Sequence, residues 1–350
     1  MPAQPESYTV MTSAGPRTFD PRDGHVLPHE HVIIDMRVYW EGSGPWDVLD
    51  QPEQALTPLS AARHHRLPQG TSRENLVLAD WYVAATELRA AREAGCQLVV
   101  DLTTHGLDPQ PGLAMKAFDL AGLPAVLSVG RYLGHAVGEG DGARPVEDLA
   151  EEWTRQVHEG LDGYRVGMIG EIGTSAEVSP VEERSLRAAA RTQTATGLPV
   201  NIHVDPFGRQ GHRVLDVLEE EGADLTRVAL SHCDGDLDVE WLASLASRGC
   251  YVEFDLFGTD HEWVILGRGF NDDEERLTAI SDLWDRGHGE RILLSHDICM
   301  KNSLLRHGGW GYAHIGSTVL PQLEARLGAE ATHLMSAVNP LRHLHVGGAA

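Results

Sequence analysis

Lysine is nearly missing from this 350-residue chain, where Lys116 and Lys301 stand against 26 arginines. Any chemistry that needs an amine at a strand end has only those two candidates. The formal net charge of −24 repels nucleic acid and anionic membrane alike, which argues against both as partners. Cysteine is sparse too. Cys96, Cys233, Cys250 and Cys299 form no C-x-x-C pair, so they read as free thiols in a reducing compartment. No apolar run approaches the ~20 residues of a membrane span. The opening MPAQPESYTVMTSAGPRTFDPRDG lacks a basic start followed by an apolar core; no signal peptide is evident, and a cytoplasmic location is expected.

What is present is an ordinary hydrophobic content of 42% with no low-complexity segment or linker, so residues 1–350 are expected to form a single domain. Short apolar runs at 25–34, 97–103, 124–130, 167–173, 199–204, 227–233, 250–256 and 291–297 read as strands. Helical patterns lie between them, among them 74–95, 181–197 and 214–223. The first has apolar residues at three-to-four spacing and stops at Gly95, and the second opens with Ser179 as cap and Pro180 in the first turn. Eight strands alternating with helices predict a parallel (β/α)8 barrel, a TIM barrel. An open doubly wound sheet is the rival, and it would place a ligand at one switch point rather than around one mouth. SYTVMTSAGPRTF reads as an N-terminal β-hairpin plugging the far end of the barrel. The long irregular stretch after the first strand, about 37–73, carries Tyr39, Trp40 and Trp46. It is expected to be a lid over the mouth or a contact in a homodimer.

GHVLPHEHVIID, residues 24–35, ends a strand on two histidines separated by one residue. Alternation puts His29 and His31 on one face and Glu30 on the other. Alone, such a pair is either two metal ligands or two hydrogen-bonded imidazoles. The other strands add to it. Glu171 ends the fourth, His203 the fifth, His232 the sixth and Asp297 the eighth; the steps from 171 to 203 and from 203 to 232 are 32 and 29 residues, about one βα unit each. Alternation predicts that Ile169 with Glu171, Asn201 with His203, Leu230 with His232 and Ser295 with Asp297 share the inward face. Four histidines and two carboxylates facing one space supply enough ligands for two divalent ions, since buried charges are normally paired or metal-bound. The remaining alternative is a set of ordinary hydrogen-bonded polar residues. His64, His65, His343 and His345 read as solvated.

LPHEHV, GEIGTS, NIHV, LSHCD, FDLFG, LSHD and GGWGYAHI resemble, in order and spacing, the phosphotriesterase-like branch of the amidohydrolase superfamily, from about Tyr8 to the NPLRHLH near 345. The resemblance implies a barrel hydrolase with a binuclear centre of zinc, manganese or cobalt. His29, His31 and Asp297 would hold the inner ion, and His203 and His232 the outer one. Where many members carry a carboxylated lysine as bridge, this chain has Glu171, as in a glutamate-bridged subgroup; Glu171 and Asp297 are the expected catalytic residues. The strand-seven Asp255 is followed by Leu256, where phosphotriesterases and lactonases carry His or Arg, which disfavours phosphotriester hydrolysis. Tyr132 matches a tyrosine that lies near the substrate carbonyl in lactonases.

These features predict cleavage of a carboxylic ester, lactone or amide by a hydroxide bridging two metals. Asp297 would pass the proton to the leaving group. Phosphotriester hydrolysis and a metal-stabilised binding protein without turnover are the alternatives. Expected substrate contacts are Trp40, Tyr132, Trp310 and Asp255, the last of which could instead orient its neighbours or be structural, with Phe257, His261, Trp263, Tyr312 and His314 as further loop candidates. Arg131 and the segment AEVSP could meet an anionic group, or Arg131 could end in a surface ion pair.

Overall fold

A computed structural model describes residues 7–40, 73–259, 264–265, 268–269 and 271–347. Trp46, His64, His65, His261 and Trp263 lie outside the described residues. Eight strands form one parallel sheet in chain order: His25–Glu30, Cys96–Asp101, Ala125–Val129, Val166–Thr174, Val200–Val204, Val228–Ser231, Tyr251–Phe254 and Ile292–Leu294, strands one to eight. The expected barrel is thus the observed one. Helices Trp81–Glu93, Pro111–Ala121, Val146–Glu159, Pro180–Thr196, Gly211–Glu220, Val239–Ala246, Asp273–Asp285 and Leu320–Leu327 follow the strands in turn.

Local chemistry sets the helix ends. Ser179 accepts from the Glu182 backbone N–H while the Glu182 side chain takes that of Ser179, a reciprocal cap on the fourth helix. The first helix begins at Trp81 rather than 74. Asp80 accepts from the N–H groups of Tyr82 and Val83, and the residues before it are used elsewhere, Val77–Leu78 pairing with Ile34–Asp35.

The N-terminal hairpin, Tyr8–Thr12 with Gly15–Phe19, closes the amino end of the barrel. Tyr8, Val10 and Phe19 share one buried cluster with Val26, Val100, Val126 and Met168 of the strands and Leu341 and Leu344 of the C-terminal helix. Ser13 ties the hairpin down by donating its N–H to the Ala125 carbonyl (2.8 Å) and accepting that of Arg165 (2.8 Å). His343, expected in solvent, is instead 1% exposed, edge-on to Tyr251. Burial pushes its pKa down to about 3. His345 is tied to the hairpin through Thr9.

No backbone ladder joins strands one and eight among the described residues. The Ser295 side chain and one backbone hydrogen bond close that seam. The His29 N–H donates to Ser295 Oγ (3.1 Å), Ser295 Oγ lies 2.7 Å from the His29 carbonyl, and the Asp297 N–H donates to the same carbonyl at 3.3 Å.

Gly167 lies where hairpin and strand four touch; a Cβ there would sit 2.0 Å from the Met11 carbonyl oxygen. Gly167→Ala is expected to cost roughly 1–3 kcal/mol in urea unfolding. Gly112→Ala, which meets open space in the second helix, is expected to be neutral or to stabilise by up to ~1 kcal/mol. Equal effects of the two would contradict this packing.

Candidate metal centre

At the carboxyl ends of the strands, His29, His31, Glu171, His203, His232 and Asp297 meet in one buried space. Glu171 is central. Its Oε1 lies 2.7 Å from His203 Nδ1, 3.2 Å from His232 Nε2 and 3.7 Å from His29 Nε2, and its Oε2 lies 3.6 Å from His31 Nε2. Asp297 Oδ1 stands 3.1 Å from His31 Nε2 and 3.5 Å from His29 Nε2. Asp297 and His203 have the most open side chains of the set, at 12% and 9% exposure. The approach from outside therefore passes them.

Two observations fit this donor set to cations. His29 Nε2 is fully buried and has no hydrogen-bond partner, although it faces two carboxylates. His203 Nδ1 and His232 Nε2 face each other at 2.8 Å with the same carboxylate oxygen beside both. The donors of His29, His31 and Asp297, and those of His29, Glu171 and His232, lie within 4.8 Å of one another. Imidazole and carboxylate donors suit zinc, manganese or cobalt.

A layer behind these groups aims the rings. Asp255 Oδ2 is 2.8 Å from His29 Nδ1 and Asp255 Oδ1 is 2.9 Å from His232 Nδ1. His31 Nδ1 meets Thr103 Oγ1 at 3.0 Å. Each of these rings therefore turns its Nε2 to the centre, the arrangement by which an outer partner fixes a ligating tautomer. Below lies a polar network. Asn201 Nδ2 donates to Glu253 Oε2 (2.8 Å), and Ser231 Oγ sits 2.7 Å from Asn201 Oδ1 and 3.0 Å from His29 Nδ1. The donors of His29, Glu253 and Asp255 also lie within 4.8 Å of one another, but they face the Nδ1 side of the ring, where these hydrogen bonds already run.

Alternation alone places only part of the site. Asn201 and His203 share the inner face as expected. Ile169 and Ile172, however, belong to the apolar layer packed against the helices, while Met168 points to the floor. The expected pairing of Ile169 with Glu171 is therefore wrong. Gly170, at φ 109°, and a register shift between Ile169 and Ile172 reverse the parity and turn Glu171 inward. Leu230 likewise faces the helices and Ser231 faces in. His232 still reaches the centre because its backbone is left-handed, at φ 57°, as is that of Asp297 at φ 52°. That conformation costs a non-glycine residue ~1–2 kcal/mol.

Around the mouth, the Tyr39 and Tyr132 hydroxyls are 2.6 Å apart, and the latter is 3.4 Å from His203 Nδ1. Trp40 is half-buried under the Arg73 guanidinium, and Trp310, 47% exposed, stacks on His314. Other expected contacts face away. Asp255 is fully buried behind the histidines. Tyr312 is buried and donates its hydroxyl to the His31 carbonyl, and Phe257 packs against Arg276. Arg131 is neither a surface ion pair nor open to a ligand: at 1% exposure it holds Ser185, Asp141 and the Val181 carbonyl. Sequence reading missed Thr103, Ser231 and Glu253 altogether. For Ser231 and Glu253 the one signal is a polar residue one or two places from His232 or Asp255; Thr103, just past strand two, carries none.

A barrel with imidazoles and carboxylates gathered on its carboxyl rim places the protein among the barrel hydrolases. Residues 10–344 match the model of the Phosphotriesterase family, and the chain belongs to that family. It is 32% identical over 316 residues to an N-acetyltaurine hydrolase of Danio rerio, covering 87% of this chain and 88% of the relative. A resiniferatoxin-binding protein from Rhodobacter sphaeroides is similar in structure at 33% identity and a TM-score of 0.89, covering 98% of this chain and 97% of that one. A mutant phosphotriesterase-like lactonase from Deinococcus radiodurans matches at 27% identity and a TM-score of 0.73, covering 96% and 100%.

The charges at the centre lean on one another. Burial alone would lower His29 and His232, but Asp255, aided by Asp297, holds both well above the usual imidazole value of 6.5. The imidazoles in turn hold Glu171 and Asp255 below the carboxylate range despite their burial. The stability those two protonated rings contribute is complete below about 6.5 and is lost as pH rises through their raised values. A divalent cation entering between these rings near neutral pH would have to displace their protons. Calorimetry in buffers of different ionisation enthalpy is expected to show proton release on zinc uptake, shrinking as pH rises. Uptake without proton release would contradict the electrostatics described.

Proposed function

We propose that the protein hydrolyses a carboxylic amide, ester or lactone and that its site holds two divalent cations, with zinc, manganese and cobalt as the candidates. His29, His31 and Asp297 would hold one ion and His203 and His232 the other, with Glu171 within reach of both groups. The observation that carries this reading is the position of Glu171, with His31 on one oxygen and His203 and His232 on the other. Neither lysine offers a carbamate bridge: Lys116 lies in the second helix and Lys301 pairs with Glu74. When bound, such ions bring the pKa of water toward neutrality and polarise a carbonyl oxygen.

The residues of the chain do the rest. Asp297, the most open carboxylate of the set, takes a proton from the attacking water and returns it to the leaving amine or alkoxide as the carbonyl–heteroatom bond breaks. Asp255 holds one ring of each ligand group, and so fixes the spacing between them. Tyr132, backed by Tyr39, offers a hydroxyl beside His203, and Trp40 and Trp310 form the rim against which the substrate's acyl portion rests. The relatives named as an N-acetyltaurine hydrolase and a lactonase support carbonyl substrates. A phosphotriester is disfavoured because Leu256, apolar and buried, follows Asp255. A binding protein without turnover is the second reading, favoured only by the likeness to the resiniferatoxin-binding protein of Rhodobacter sphaeroides.

Metal-loaded protein is to be tested on N-acyl amino sulfonates, N-acyl amino acids, lactones, carboxylic esters and a phosphotriester. Turnover of a carbonyl substrate is expected, abolished by chelation and restored by zinc, manganese or cobalt. Glu171→Gln and Asp297→Asn are each expected to lower kcat by about 10²-fold or more. A faster phosphotriester reaction would replace this reading with the phosphotriesterase one. Metal-loaded protein inert on every substrate would favour the binding reading.

A further inference from the structure

We propose that Glu30, the residue between the two histidines of strand one, is a positioning residue that sets Asp297. The inference rests on the two-cation reading above. The Glu30 carboxylate is fully buried, and its hydrogen bonds go to the segment that follows strand eight. Oε1 accepts from the His296 backbone N–H (3.1 Å) and from His296 Nδ1 (2.5 Å), and lies 2.9 Å from Ser295 Oγ. Oε2 accepts from the Ile298 N–H at 3.1 Å. The two backbone N–H groups it takes are those on either side of Asp297.

Asp297 needs such a hold. Its backbone is left-handed, and the ladder that would steady the end of a barrel strand is missing between strands one and eight among the described residues. Glu30 stands in for that ladder. His296 extends the clamp. Its Nε2 accepts from the Ile315 N–H at 2.9 Å, which puts its proton on Nδ1, toward Glu30, and ties in the helical segment that opens there. Thus strand one supplies His29 and His31 directly and places Asp297 indirectly, through the carboxylate on its other face.

A glutamine at position 30 has the right shape and the wrong hydrogens. One of its two terminal atoms becomes an NH2 and must face either the His296 donors or the Ile298 N–H. Holoprotein carrying Glu30→Gln is to be compared with Ser295→Ala, which removes one strut without adding a donor. Both are read by zinc per chain, zinc affinity against a chelator, the cobalt(II) absorption spectrum, kcat and KM, and urea unfolding of the metal-free protein. Glu30→Gln is expected to weaken one zinc by ~10–100-fold while the other stays. It should also shift the cobalt spectrum and lower kcat about tenfold or more, with KM within about twofold. Ser295→Ala should change the same readouts in the same direction by less, and carries the test if Glu30→Gln does not fold. Zinc affinity, spectrum and kcat unchanged, with only unfolding affected, would reduce Glu30 to a structural residue and overturn the inference. A wild-type chain that keeps no zinc, manganese or cobalt would instead overturn the two-cation reading, and this inference with it.

Discussion

Too much negative charge is packed too deep. Glu171, Glu253, Asp255 and Asp297 share one region with four imidazoles, and the first three of these carboxylates are essentially out of water. A bare arrangement of this kind survives by protonating its histidines, the direction in which His29 and His232 are pushed, and by neutralising Glu253, whose carboxyl burial pushes up. Cations would relieve the same strain more completely, because they would meet Glu171, Asp297 and the partnerless His29 Nε2 together. The surrounding fold reads as the means of holding these charges close until cations arrive.

That hold comes in successive layers. Asp255 grips one ring from each side of the centre, His29 and His232. Its own backbone N–H, with that of Leu256, donates to Asp234, which in turn is paired with the fully buried Arg276 of the seventh helix at 2.7 Å. Burial lifts Asp234 to about 6 even beside that guanidinium. A buried ion pair of this kind adds little net stability against an apolar substitute, yet losing one partner strands the other. Its contribution here is placement. Asp273 continues the chain, taking Arg276 on one oxygen and His314 on the other, and His314 carries Trp310 at the mouth. Loops six, seven and eight are thereby joined into one support.

The barrel and the six converging residues were legible because both follow periodic rules. Strands recur once per βα unit, and a polar residue at a strand's carboxyl end has one rim to face. What could not be read depends on departures from period two. Glu171 faces inward because Gly170 breaks the register, and His232 and Asp297 do so because their backbones are left-handed; no side-chain pattern announces either event. The opposite face of strand one was legible as an alternation, but not its use. Glu30 meets residues 265 to 268 positions away, a pairing that exists only once the barrel has closed. Tyr312, Phe257 and Arg131 looked like mouth residues because loops carry them, and packing turned each of them inward.

The most direct measurement is anomalous X-ray scattering at the zinc edge from crystals of the zinc-loaded chain. Two peaks are expected, one within bonding distance of His29, His31 and Asp297 and one of His203 and His232, with the Glu171 carboxylate between them. An empty centre, a single ion, or density lodged instead between Glu253 and Asp255 would contradict it.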